Sequence, residues 1–128
     1  YLQRQATLGQ VLQKALSINQ STLGNYLMSR HINNQIADLE EQRRAIKGTN
    51  QADVNAKRKV FDDQISKKND ELVIYSQKAA DLYGQEANLK GVDKIYYKEV
   101  LRDLADYYNQ KKNTAKATEY QNKIKQLQ

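Results

Sequence analysis

Few residues in this 128-residue chain could do chemistry, and their spacing does not suit it. There is one histidine, His31, which follows Arg30, and the first acidic residue is Asp38. A catalytic or metal-bound imidazole needs a carboxylate or a second histidine to orient it. One helical turn to either side lie Leu27, Met28, Asn34 and Gln35, none of which can do so. Carboxylates pair up at Glu40-Glu41, Asp62-Asp63 and Asp70-Glu71. Adjacent side chains on a helix diverge by about 100°, so such pairs are poorly placed to share a metal or a proton. The Glu-x-x-His signature of carboxylate-bridged di-iron bundles is missing. So are the phosphate loop GxxxxGK[ST], the dinucleotide motif GxGxxG and the nucleophile motif GxSxG. With no cysteine, disulfides and thiolate metal sites are excluded. The sequence reads as non-enzymatic, with no catalytic residue, no cofactor and no metal assigned.

Charge and aromatic content point towards binding. Lys and Arg number 21 against 15 Asp and Glu, a net charge of +6. Basic runs at Arg43-Arg44, Lys57-Arg58-Lys59, Lys67-Lys68 and Lys111-Lys112 could follow a phosphate backbone. Yet Asp62, Asp63, Asp70 and Glu71 interrupt them on one helix, whereas a nucleic-acid footprint concentrates its charge. Nucleic acid or another polyanion is therefore the alternative partner, and protein the preferred one. There are nine tyrosines, one Phe and no Trp. Tyrosine can be half buried with its hydroxyl in water, which suits thin helical layers and interfaces alike. The doublets Tyr96-Tyr97 and Tyr107-Tyr108 should each turn one ring inward and one outward. Tyr97 and Tyr108 are expected in the core, and Tyr96 and Tyr107 on plain surface or a docking patch.

The elements that must position these residues are helices. The chain has no proline and five glycines, which leaves backbone ladders unbroken and flexible linkers scarce. Ala, Leu, Gln, Lys and Glu are abundant, while β-branched residues are thin. The length suits one domain, all-α throughout. A first helix is predicted over residues 2–19, with Leu8, Val11, Leu12, Ala15 and Leu16 on one stripe. A long antiparallel helical hairpin follows over residues 21–83. Its first arm, 23–47, carries Leu23, Leu27, Met28, Ile32, Ile36, Leu39 and Ile46, with Gly48 as the residue closing the arm. About three polar residues turn the chain. The second arm repeats every 3.5 residues at Val54, Arg58, Phe61, Ile65, Lys68, Leu72, Tyr75, Ala79 and Leu82, a coiled-coil-like seam. Each arm should be on the order of 35–45 Å long. Arg58 and Lys68 are expected to pack their stems and carry their charges to Glu40 or Glu41. Ser21 or Thr22 should cap the first arm, Thr49 or Asn50 the second, and Asp93 the helix that follows. Gly84 and Gly91 bracket a loop. No run of 18 uncharged apolar residues reads as a membrane span. A chain starting at Tyr1 without a signal peptide reads as a soluble processed or excised product, with its compartment unassigned.

Residues 93–128 form a pair of shorter helices. Leu101-x-x-Leu104-Ala105-x-x-Tyr108, a polar turn at Lys111-Lys112-Asn113-Thr114, and Ala117-x-x-Tyr120 resemble one tetratricopeptide unit. Ile124 departs from that pattern, which prefers a small residue there, and no proline follows Leu127. More weakly, Leu12-Gln13-Lys14-Ala15-Leu16 with Asn19 resembles the second helix of such a unit. The resemblance implies a protein-binding scaffold. It implies that Ala105 and Ala117 let the two helices approach, with Tyr108 and Tyr120 beside them. It maps the ligand-facing side onto Glu99, Arg102, Asp106, Asn109 and Gln110, with Tyr96 and Tyr107 flanking. Asp106 stands where family members that grip a partner's C-terminal carboxylate carry Asn, so the expected ligand is a neutral or basic segment. Self-association through the hairpin is a further expectation.

Overall fold

The structure, a computed structural model, describes residues 21–127. The helix predicted over residues 2–19 lies outside the described residues. Within them are four helices and no strand: α1 (Thr22–Arg44), α2 (Gln51–Gly84), α3 (Val92–Gln110) and α4 (Thr114–Gln126). The fold is an all-α helical bundle.

Local chemistry sets the ends of these helices. Ser21 caps α1, its Oγ accepting from the Gly24 amide at 2.6 Å. Asn50 caps α2, its side-chain oxygen accepting from the amides of Ala52 and Asp53. Gly48 does not close α1 as expected. The helix stops at Arg44, and its cap residue, Ala45, stays in right-handed geometry. The connection spans residues 45–50 rather than three. Nor is Asp93 the cap of α3: it lies in the first turn, and Gly91 (φ 54°) takes the cap position with no side-chain bond. A left-handed residue redirects the chain more sharply than an Asx cap, and glycine adopts that conformation at little cost. Asn113 caps α4, after Lys112 turns the chain at φ 60°.

At 1.5 Å per residue, the 23 residues of α1 span about 35 Å and the 34 residues of α2 about 51 Å. The two run antiparallel and share the most extensive interface among the described helices. Val54, Leu72 and Ala79 of the predicted α2 seam are buried, and the other six positions are partly covered. The α1 stripe needs correction at its start. Leu23 and Leu27 are half exposed, and the chain buries Asn25, Tyr26 and Ser29 there instead. The side chains facing α2 and α3 are thus rotated round the helix from the expected stripe. Small polar Ser29 fits a close helix approach and bonds the Tyr26 carbonyl.

Two apolar clusters follow among the described residues. Ile32, Ile36 and Leu72, with Ile65 and Tyr75 against them, fill the middle of the hairpin. The larger cluster joins Tyr26, Ala79, Ala80 and Tyr83 to Val100, Leu101, Leu104, Ala105 and Tyr120. Here α3 and α4 pack on the second half of α2. Ala105 and Ala117 are buried where α3 meets α4. The rings of Tyr108 and Tyr120 stack beside them, 5.8 Å apart.

Candidate functional site

Helices α1 and α3 lie side by side and run the same way, and they meet through polar and aromatic side chains. Tyr26 stacks on Tyr96 with centroids 3.9 Å apart and donates its hydroxyl to Glu99. One turn further along both helices, Arg30 pairs with Asp103. Both hydrogen-bonded pairs are 73 residues apart in sequence, as a fixed parallel register requires. From α2, the Ser76 hydroxyl donates to Asp103 at 2.9 Å. Asp103 therefore sits where three helices converge, its side chain 11% exposed against 25% for Arg30.

Burial dominates the electrostatics of this joint. It pushes the Asp103 carboxyl up from 3.8 to about 6. Arg30 and the Ser76 hydroxyl favour the anion and Asp106 opposes it, but the loss of water outweighs them. Burial, followed by the bond to Glu99, also raises the Tyr26 hydroxyl well above its ordinary value.

Beside the joint, a cleft of about 150 Å³ opens between α1, α2 and α3. Ile36, Leu72 and Val73 form its apolar floor. Its polar lining comes from Asn33 and Glu40 of α1, Asn69 of α2, and Asp103, Asp106 and Gln110 of α3. Two basic residues near the cleft are engaged with acids: Lys111 with Asp70 at 3.7 Å, and Arg30 with Asp103. A cleft lined by carboxylates and amides in a chain of net charge +6 is chemically suited to ammonium or guanidinium groups.

The predicted site residues divide into three groups. Asp106, Tyr107 and Gln110 line the cleft. Arg102 and Asn109 are exposed on the same helix. Glu99 and Tyr96 were expected on a free outer face but turn towards α1, where they bond and stack with Tyr26. Tyr107 is tethered as well, donating to Asp70 at 3.1 Å and meeting Tyr108 edge-on. Tyr97 and Tyr108 pack against the larger core cluster as expected.

Arg58 and Lys68 depart from their expected partners Glu40 and Glu41. Arg58 donates to the Ile46 carbonyl at 3.2 Å, because the connection over residues 45–50 leaves backbone carbonyls outside a helix within its reach. Lys68 donates to Gln35 at 2.9 Å and pairs with Glu71 on its own helix. Three of the sequence-adjacent carboxylate pairs' members meet basic groups on the hairpin surface, Asp62 with Arg43, Asp63 with Lys59 and Glu71 with Lys68. His31 is exposed, with Gln35 beside it at 3.3 Å. Among the described residues, no group of three His, Asp or Glu side chains could hold a metal ion. No helix among them is long and apolar enough to cross a membrane.

Sequence reasoning missed Tyr26, Arg30, Ser76 and Asp103. A signal was present in the matched spacing, because Tyr26 and Arg30 are four apart and so are Glu99 and Asp103. Complementary pairs at equal helical spacing can zip two parallel helices together. The chain matches no family model, no curated protein and no solved structure.

Proposed function

We propose that this chain is a non-catalytic protein-interaction module whose three-helix cleft accepts a neutral or basic segment of a partner protein. The observation that carries this reading is the cleft lining. Glu40, Asp103 and Asp106 supply negative charge, Asn33, Asn69 and Gln110 supply amides, and Ile36, Leu72 and Val73 supply an apolar floor. Such a lining would hold the stem of a lysine or arginine on apolar surface while its charged head meets carboxylates. An acidic tail would place its charge against Asp106, which is exposed and, among the described residues, sits in no ion pair. The resemblance of α3 and α4 to a tetratricopeptide pair agrees with this reading, with Arg102 and Asn109 at the rim of the docking face. A homo-oligomeric hairpin or a polyanion-binding protein are the competing readings. The second draws less support from the hairpin surface, where Arg43, Lys59 and Lys68 are engaged by acids.

Fluorescence anisotropy with a labelled basic peptide, a neutral peptide and an acidic peptide of equal length tests the proposal. The basic or neutral peptide should bind, Asp106→Ala should weaken binding of the basic peptide, and Arg102→Ala, which removes a like charge from the rim, should not. The melting temperature should hardly move, because exposed substitutions usually change stability by no more than about 0.5 kcal/mol. Preference for the acidic peptide, or undiminished binding of the basic peptide by Asp106→Ala, would refute the assignment. Heparin retention that persists at about 0.1 M salt would favour the polyanion reading instead.

A further inference from the structure

Asp103 belongs both to the three-helix joint and to the wall of the cleft. Arg30 from α1 and the Ser76 hydroxyl from α2 both donate to its Oδ2. No donor among the described residues reaches Oδ1. One oxygen therefore ties the helices together, while the other is left over on a side chain only 11% exposed. An anionic oxygen largely withdrawn from water and without a donor is unfavourable. It can be relieved in two ways. It can take a proton, or it can accept from an N–H that enters the cleft.

The surrounding charges decide between these outcomes. From α1, Arg30 favours the anion, and Glu40 adds negative charge to the same cleft. From α2, Ser76 supplies its hydroxyl, and the residues in the cleft wall are uncharged. From α3, Asp106 lies one turn along on the cleft wall and opposes the anion, while Tyr107 donates its hydroxyl away to Asp70. Burial prevails over Arg30 and Ser76 and pushes the Asp103 carboxyl up to about 6. A cation held between Asp103 and Asp106 reverses that balance, because it favours both anions.

We propose that Asp103 is the proton-linked acceptor of the cleft: its Oδ1 carries either a proton or an N–H of the partner's ammonium or guanidinium group, and the two exclude each other. This rests on the reading of the cleft as a site for a basic segment. Binding the cation to a protonated Asp103 releases the proton to solvent. Affinity is therefore full above the value of about 6 and falls as the pH drops below it. One unit below that value about one molecule in eleven is ionised, so binding at about pH 5 should be about ten-fold weaker than at about pH 7.5.

The test is fluorescence anisotropy between about pH 5 and about pH 7.5 with a lysine peptide, blocked at both ends and free of histidine and acids. The wild-type chain should lose about ten-fold in affinity towards the acid end. Asp103→Asn, which cannot ionise, should bind more weakly at about pH 7.5 and show little further loss at about pH 5. Ser76→Ala removes a donor that favours the anion, so the midpoint of the pH dependence should move upward. A purely structural role for Ser76 would leave that midpoint in place. Equal wild-type affinity at both ends of the range would overturn the linkage, as would the same acid loss in Asp103→Asn or an unmoved midpoint in Ser76→Ala. A peptide that binds at neither pH would refute the reading of the cleft itself, and the linkage with it.

Discussion

Replacing Asp103 with asparagine isolates the buried charge at the three-helix joint. In the unfolded chain this carboxyl has its ordinary value of 3.8, and in the folded protein burial raises it to about 6. Between these values the folded protein holds a proton that the unfolded chain has released. The stabilising contribution of the protonated group is therefore complete below about pH 3.8 and lost as the pH rises through about 6. Converted at about 1.4 kcal/mol for each pH unit between the two values, that loss is on the order of 3 kcal/mol. Asparagine keeps the shape and can still accept from Ser76, but it cannot ionise. It also removes the partner of Arg30, whose side chain remains 25% exposed and can draw on water. Urea unfolding of both proteins from about pH 4 to about pH 8 gives the difference in stability, in which the titration of the other carboxylates cancels. The variant should gain on the wild type by about 3 kcal/mol across that interval, most of it between pH 4 and 6. A flat difference, or one moving the other way, would show that the Arg30 ion pair outweighs burial and that the reasoning about this joint is wrong.

Two further outcomes follow from the packing. Leu104 is fully buried in the larger cluster, so Leu104→Ala should cost about 2–5 kcal/mol in urea unfolding, and a cost under about 1 would mean the site can collapse around the missing atoms. Gly91 has φ 54° and ψ −121°, with open space where a Cβ would stand, so Gly91→Ala should cost about 1–3 kcal/mol of backbone strain with no clash added, and a neutral result would place this turn in another conformation.

The parts of the fold that were legible in the sequence are those where apolar spacing alone decides the outcome. The α2 seam from Val54 to Leu82 reads directly, because a straight helix with one long neighbour keeps one face covered. The start of α1 does not, because two helices compete for it. The helix presents Asn25 and Ser29 along with Tyr26, so its inward face carries few of the residues a hydrophobicity pattern finds. Polar contacts between helices depend on the offset between distant segments, which one sequence does not fix. That is why Glu99 reads as a solvent-facing residue of α3 until Tyr26 is known to lie opposite. It is also why Arg30 reads as unopposed until α3 supplies Asp103. Within the site, Asp106, Tyr107 and Gln110 of the predicted residues reach the cleft, because there α3 has passed the joint.

The joint also divides the molecule mechanically. Over its second half, α2 is covered by α1 and by α3, and the larger cluster runs through to Tyr120 of α4. Towards the hairpin tip the polar contacts of α2 include Arg43 of α1 to Asp62, Arg58 to the Ile46 carbonyl of the connection, and Lys68 to Gln35 of α1. Of these only the Arg43–Asp62 pair is exposed, and such a pair contributes on the order of 1 kcal/mol or less. Val54 at the hairpin tip is buried, yet Val60 between it and the middle cluster is 56% exposed. Few apolar contacts and solvent-facing polar bonds are the conditions under which a segment opens independently of the core. Opening at the hairpin tip would leave the cleft intact, because the residues that shape it begin at Asn69 on α2 and belong to the three-helix half. The same geometry makes Asp103 the sensitive point, since protonating or replacing it acts on all three helices that form the cleft wall.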